Sequence, residues 1–309
     1  MNLVSQLLNA AISAGTPLLF ATLGGILIEK SGVIQLGAEG LMLMGAVTAA
    51  LTYLAVPDLL LTLAAVFFVG ALLGLLHALL TVTLRSNQVV SGLALTLFGT
   101  GLSAFLGKSI AGVPLPQAVP NVTLNFLSGV PLLGAVLGKL DLLTWISWFL
   151  VVFFQVVYTR TRWGLHLKAV GDNPATADVM GIRVQVYRYL CVAMGSSLIA
   201  LGGADLLLVY SPNWIEGMTS GRGWIAVALI IFSQWNPVKA LIGTYLFGAL
   251  DTLGFRLQLA GSLVPPYFLK MIPYVITILV LIFVGWRSRN KASSAPQALG
   301  VPYIREQRQ

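Results

Sequence analysis

Long runs of apolar residues dominate the chain, and polar residues gather in short stretches between them. The runs lie near 9–28, 34–56, 59–84, 88–107, 142–159, 188–211, 223–235, 240–257 and 264–285. Most approach the roughly 20 residues a helix needs to cross a hydrocarbon core of about 30 Å. Lipid offers the backbone no hydrogen-bond partner, so such runs predict helices. The run at 223–235 is short and ends at Trp235-Asn236-Pro237, which predicts a half-helix packed inside a bundle. The expected fold is all-α: a polytopic membrane helical bundle of roughly 8 to 10 transmembrane segments with broken helices. The membrane domain covers 1–287, carries a polar loop at 160–188, and is followed by a polar tail, 288–309, whose prolines and charges predict disorder. The stretch 108–141, with Pro114, Pro116, Pro120 and Pro131, reads as an irregular extracytoplasmic loop or a re-entrant piece.

Composition sharpens this picture. Of 309 residues 57% are hydrophobic and only 9% are charged, against about 25% charged in soluble domains. That leaves no room for a large soluble domain. The 18 Lys plus Arg exceed the 10 Asp plus Glu, yet the basic residues are scattered between apolar runs and form no aromatic-interleaved patch for nucleic acid. Topology accounts for them better, because positive loops stay cytoplasmic. With the 160–188 loop inside, only Lys108, Lys139, Arg222, Arg256 and Lys270 fall outside. The C-terminus is then cytoplasmic, and nine crossings place the N-terminus outside the cell membrane. The first run lacks the basic flank and cleavage site of a secretory signal. Cys191, the lone cysteine, forms no disulfide framework or metal cluster.

No catalytic or metal site is expected. The chain has two histidines, His77 and His166, no HExxH or GxSxG, and no carboxylates at metal spacing. GLSAFLGKS at 101–109 mimics a phosphate-binding loop, but five residues separate its glycines instead of four and it ends an apolar run. Four features remain. Gly32, Gly37 and Gly40 permit an unwound backbone around Glu39, whose charge costs about 2.5 to 3.5 kcal/mol at mid-bilayer and so must face protein or water. Gln35, Glu39 and Gly40 therefore line a path or gate, or Glu39 caps a helix N-terminus. His77, Asp205 and Asp251 lie in or near spans and suit polar packing or an ion pair, Asp251 being five residues before Arg256. In 169–182, Asp172 or Asn173 can cap, Pro174 suits the first helical position and Gly181 the left-handed stop, predicting a helix of about two turns. Val179 and Met180 lie exposed on it, so it docks on a partner or on lipid headgroups. Finally, Gly217, Gly221 and Gly223 precede a short helix beginning near Trp224, either a polar contact in a broken helix or a tight extracytoplasmic turn.

GVIQLGAEGLMLMGA (32–46), AVGDNPATADVMGI (169–182), GMTSGRGWIAVALIIFSQWNP (217–237) and FGALDTLGFRLQ (247–258) occur in one order that resembles the membrane permeases of ABC importers in the simple-sugar and branched-chain amino acid superfamily, most closely the nucleoside-importing branch. Ser233-Gln234-Trp235 stands where that branch carries Gly-Arg-Trp. The resemblance implies that 173–181 is a coupling helix seated in a cytoplasmic ABC ATPase, with Gly171, Asn173, Pro174, Ala177, Val179 and Gly181 as its contact surface. It also implies a second, longer permease subunit and an extracytoplasmic solute-binding lipoprotein. The permease has no cofactor, since ATP is bound by the ATPase. Gln35, Glu39, Gly40, Gly221 and Trp224 are the pathway candidates. A permease for a simple sugar such as ribose is one alternative, and a secondary transporter coupled to protons through Glu39 or Asp251 is another.

Overall fold

A computed structural model describes residues 3–116, 119–122, 138, 140–259, scattered positions from 265 to 286, and 294–305. Among them are ten α-helices: α1 Leu3–Lys30, α2 Ala38–Ala55, α3 Leu59–Ala78, α4 Gln88–Gly107, α5 Leu142–Arg160, α6 Arg162–Asp172, α7 Pro174–Val179, α8 Val184–Asp205, α9 Arg222–Phe232 and α10 Pro237–Leu259. Helices α3 and α8 each continue through a π-helical turn, Leu79–Thr83 and Leu206–Tyr210. The result is an all-α bundle, and seven of its helices are long and apolar enough to cross a membrane. The described positions between 268 and 286 are helical as well. Its strands are two-residue pieces, β1 Asn121–Val122 against β2 Leu140–Asp141. Most of the 108–141 stretch beyond position 122 lies outside the described residues.

Small residues set the centre. In lipid, helices gain little by hiding apolar side chains from one another, so close backbone packing holds them together. A Cβ on Gly45 of α2 would stand 1.9 Å from the Ala200 carbonyl oxygen of α8, and one on Gly203 of α8 would stand 1.8 Å from that of Met42 on α2. Gly24 of α1 and Gly195 of α8 meet in the same manner, each Cβ position lying within 2.5 Å of the other's carbonyl oxygen. Helices α1, α2 and α8 thus form the buried middle, and α3, α4, α5 and α10 turn apolar faces outward.

The contacts sort the connections into two ends. At one end lie the last turn of α1, helices α6 and α7, the start of α8 and the 294–305 segment, joined through Gly171, Gly32 and Arg188. Thr83, after α3, meets Tyr189 there. At the other end the chain after α4 pairs with the chain after α8: Gly112 N–H donates to the Trp214 carbonyl and Leu115 N–H to that of Pro212. Two expectations need correction. The tail does not fit a disordered description over 294–305, because Ala298 is buried and Leu299 packs on the core. Asp251 does not pair with Arg256, five residues on: Arg222 begins α9, and its Nη2 meets Asp251 Oδ2 of α10 at 3.0 Å.

Candidate functional site

The chain between α1 and α2, Ser31 to Gly37, is irregular and largely buried. Such backbone is tolerated only where protein supplies its hydrogen bonds, and here four helices and the tail do so. Gln88 of α4 accepts the Ile34 N–H at 2.7 Å, and Thr96 donates to the Leu36 carbonyl at 2.9 Å. His77 of α3 donates Nε2–H to the Ile34 carbonyl at 3.1 Å, which leaves Nδ1 to accept from Ser91 at 2.9 Å. Arg188 of α8 donates to the Ser31 carbonyl at 3.2 Å. Glu29 accepts the Gln35 N–H, and its Oε2 accepts Trp235 Nε1–H at 2.7 Å. Gln35 is fully buried, accepting from Gly37 N–H at 3.0 Å and donating to Ser196 at 3.4 Å.

This joint delivers Glu39 to the start of α9. Gly221, in the left-handed conformation with φ +86°, precedes α9, and no side chain of its own segment caps that helix. The cap comes from 180 residues away. Glu39 Oε1 accepts Thr219 Oγ1–H at 2.5 Å and Gly221 N–H at 2.9 Å, and Oε2 accepts Gly223 N–H at 2.7 Å. A carboxylate at a helix N-terminus meets both the free amides and the positive end of the dipole. The approach is close enough that a Cβ on Gly223 would fall 2.3 Å from the Glu39 backbone nitrogen. Gly40 lies against Thr96 and Leu95 of α4, again with no room for a Cβ. Eleven residues at 1.5 Å each make α9 about 16 Å long, so Glu39 caps it well inside the bundle from the end where Trp235 meets Glu29. Trp224, one turn in, is 42% exposed.

Of the pathway candidates, Glu39, Gly40 and Gly221 come together, Trp224 stands beside them, and Gln35 is sealed in the joint. No local pattern in the sequence names Thr219 and Gly223 as partners of Glu39, or Gln88, His77 and Arg188 as supports of the joint. The Gly217-to-Gly223 pattern marked the place without naming its partner. Asp205 stands apart: it is buried at the end of α8, and among the described residues neither carboxylate oxygen has a hydrogen-bond partner.

The second constellation is the loop after α5. Thr161 caps α6, and Asn173 caps α7, its side chain accepting Thr176 N–H at 3.0 Å, with Pro174 at the first helical position. Gly181 has φ +83° and ends the motif. Asp172 closes α6 and is not the cap of α7. Ala177 is the buried contact of α7, joining Val170 and Val184. Gly171 is pressed onto α1, a Cβ there falling 2.3 Å from the Lys30 carbonyl oxygen. Val179 and Met180 are 86% and 76% exposed. Of the six coupling candidates, Gly171 and Ala177 are buried, Pro174 is half-buried, and Asn173, Val179 and Gly181 are exposed, Val179 forming the apolar tip with Met180.

A bundle of long apolar helices with a protein-lined broken segment, a half-helix and a protruding helix at one end is the architecture of a polytopic membrane protein. The comparisons agree: the chain belongs to the family described as branched-chain amino acid transport system / permease component, which matches residues 7–281. It is 38% identical, over 99% of both chains, to a Haloferax volcanii protein provisionally named a glucose ABC transporter permease, TsgC13. It is 32% identical to the guanosine ABC transporter permease NupQ of Bacillus subtilis over 100% of this chain and 99% of that one, and 33% identical to the nucleoside ABC transporter permease NupC of Lactococcus lactis over 94% of each. No solved structure matches the chain.

Proposed function

We propose that the chain is the permease subunit of an ATP-driven importer of nucleosides. The observation that carries this reading is the full-length similarity to permeases named for guanosine and for nucleosides. The site is compatible with an uncharged solute. Glu39 is spent on three donors and Arg222 on Asp251, so the junction presents the Trp224 ring and polar backbone in preference to a free charge. In this reading α7 enters a cytoplasmic ABC ATPase through Val179 and Met180. A second permease subunit completes the pathway, a lipoprotein delivers solute from outside, and the C-terminus is cytoplasmic. The ATPase binds and hydrolyses ATP, and its closure biases the bundle between inward-facing and outward-facing states through α7.

A sugar is the second reading, favoured by the 38% identity to the Haloferax volcanii protein. Proteoliposomes holding the subunit with its ATPase, second permease and lipoprotein decide between them. ATP-dependent uptake of labelled guanosine that excess glucose leaves unchanged is the expected result. Glucose uptake that guanosine does not inhibit overturns the solute assignment. Uptake driven by a pH gradient without the ATPase overturns the ABC reading itself.

A further inference from the structure

The 294–305 segment has little regular structure, yet it is fastened to the bundle at successive residues. Pro296 packs on Gly171. Ala298 N–H donates to the Gly171 carbonyl at 2.9 Å, and Gly300 N–H to the Gly32 carbonyl at 3.1 Å. Arg188 Nη1 donates to the Val301 carbonyl at 3.3 Å while its Nε holds Ser31. A buried guanidinium is costly unless hydrogen-bonded; the joint and the tail bond its Nε and Nη1 between them, while Nη2 has no partner among the described residues. Further on, Tyr303 packs with Val170, Ala177 and Val184, and its phenol donates to Asp178 of α7. Burial, then Asp178, raises the titration of that phenol above its ordinary range. Arg305 Nε adds an ion pair to Asp178 Oδ2 at 3.1 Å.

The fastening points are not a random set of surface contacts. Gly32 belongs to the joint that ends at Glu39, and Asp178 belongs to the six-residue α7. A helix of that length has almost no stability of its own and buries little, so what moves with it depends on what is tied to it. Gly300 suits its position through its backbone: it has φ +80°, which strains any side chain and a β-branched one most, and a Cβ there would also push on the Ile34 side chain, whose Cδ1 would lie 2.7 Å away.

We infer that the C-terminal segment is a tie that makes α7 and the 31–37 joint move as one body, so that displacement of α7 reaches Glu39 and the start of α9. The inference rests on the reading of α7 as the ATPase contact. Its parts are Tyr303 and Arg305 on α7, Gly300 on Gly32, and Val301 through Arg188 on Ser31. These are positioning residues: none needs to touch solute.

The test uses the assembled importer in proteoliposomes, with Val179→Cys present in every version to report cross-linking to the ATPase. Cys191 is buried and stays silent. Three versions are compared: the full chain, a chain ending at residue 293, and the full-length Gly300→Val variant. The expected result is retained cross-linking and ATP hydrolysis, with solute moved per ATP reduced about fivefold or more in both altered versions. Unchanged transport per ATP, with cross-linking intact, overturns the tie and leaves the coupling reading standing. Loss of cross-linking together with transport also overturns it, because the segment then builds the dock instead of transmitting motion. No cross-link in the unaltered full chain refutes the α7 reading instead. If the shortened chain fails to accumulate, Gly300→Val decides.

Discussion

Glu39 and Asp205 are both acids inside an apolar bundle, and their surroundings assign them opposite fates. Glu39 accepts three hydrogen bonds at the start of α9, two of them from backbone amides that have no other cap. A hydrogen bond to a charged group contributes about 1.5 to 3 kcal/mol. Glu39→Gln removes the charge and aims an amide N–H₂ at groups that are themselves donors, so the cost is expected at about 2 kcal/mol or more. Asp205 has no such partners among the described residues, and an unpaired charge in that setting only costs energy. Asp205→Asn is therefore expected to leave stability unchanged or raised. Thermal unfolding of the two detergent-purified variants checks this, and an equal fall in both would show that Asp205 has a stabilising role the contacts do not reveal. Both acids were visible in the sequence as rare charges in long apolar runs. What separates them was not, because the partners of Glu39 lie 180 to 184 positions away and nothing local encodes that pairing.

At the scale of the element, what could be read locally differs sharply from what depends on neighbours. Helix α7 was legible because its start and stop are encoded within nine residues: Asn173 caps, Pro174 presets the first turn, and Gly181 takes the left-handed stop. Helix α9 was legible as a half-helix because an 11-residue apolar helix cannot span the bilayer. The glycine contacts that hold α2 against α8 were not legible, since 32 glycines in an apolar chain look alike until their neighbours are known. Gly203 and Gly101 make the contrast measurable. A side chain on Gly203 drives into the Met42 backbone at 1.8 Å, and backbone cannot yield as a flexible side chain can; at Gly101 of α4 nothing lies within 4 Å. Gly203→Leu is expected to abolish accumulation of folded subunit in the membrane. Gly101→Leu is expected to leave it near normal, since it also replaces a poor helix former. Fluorescence-detected size exclusion of tagged variants reports both, and a monodisperse Gly203→Leu protein would refute close α2–α8 packing.

Across the whole molecule, the apolar runs foretold the seven long helices because a bilayer crossing sets a minimum length of apolar chain, whatever the packing. The tail escaped that logic. Its composition is that of a solvated end, and contacts such as those of Ala298, Gly300 and Tyr303 with Gly171, Gly32 and Asp178 pack it against the bundle instead. That packing has a topological consequence. It places the tail, α7, the last turn of α1 and the start of α8 at one end, and the pairing of Gly112 and Leu115 with Trp214 and Pro212 at the other. Arg160, Arg162, Lys168 and Arg183 surround the first end, in or beside the connection from α5 to α8, and the second carries Lys108. The positive-inside rule then predicts that the first faces the cytoplasm. Single cysteines can establish it, because Cys191 is buried and contributes little background. Val179→Cys and Arg305→Cys replace exposed residues at the first end, and Val113→Cys an exposed residue at the second. A membrane-impermeant maleimide is expected to label the first two in inside-out vesicles and the third in right-side-out vesicles. Labelling of Val179→Cys and Arg305→Cys from opposite sides would separate the tail from α7 and break the packing on which the tie depends. Labelling of both from outside would keep that packing and reverse the orientation of the entire bundle.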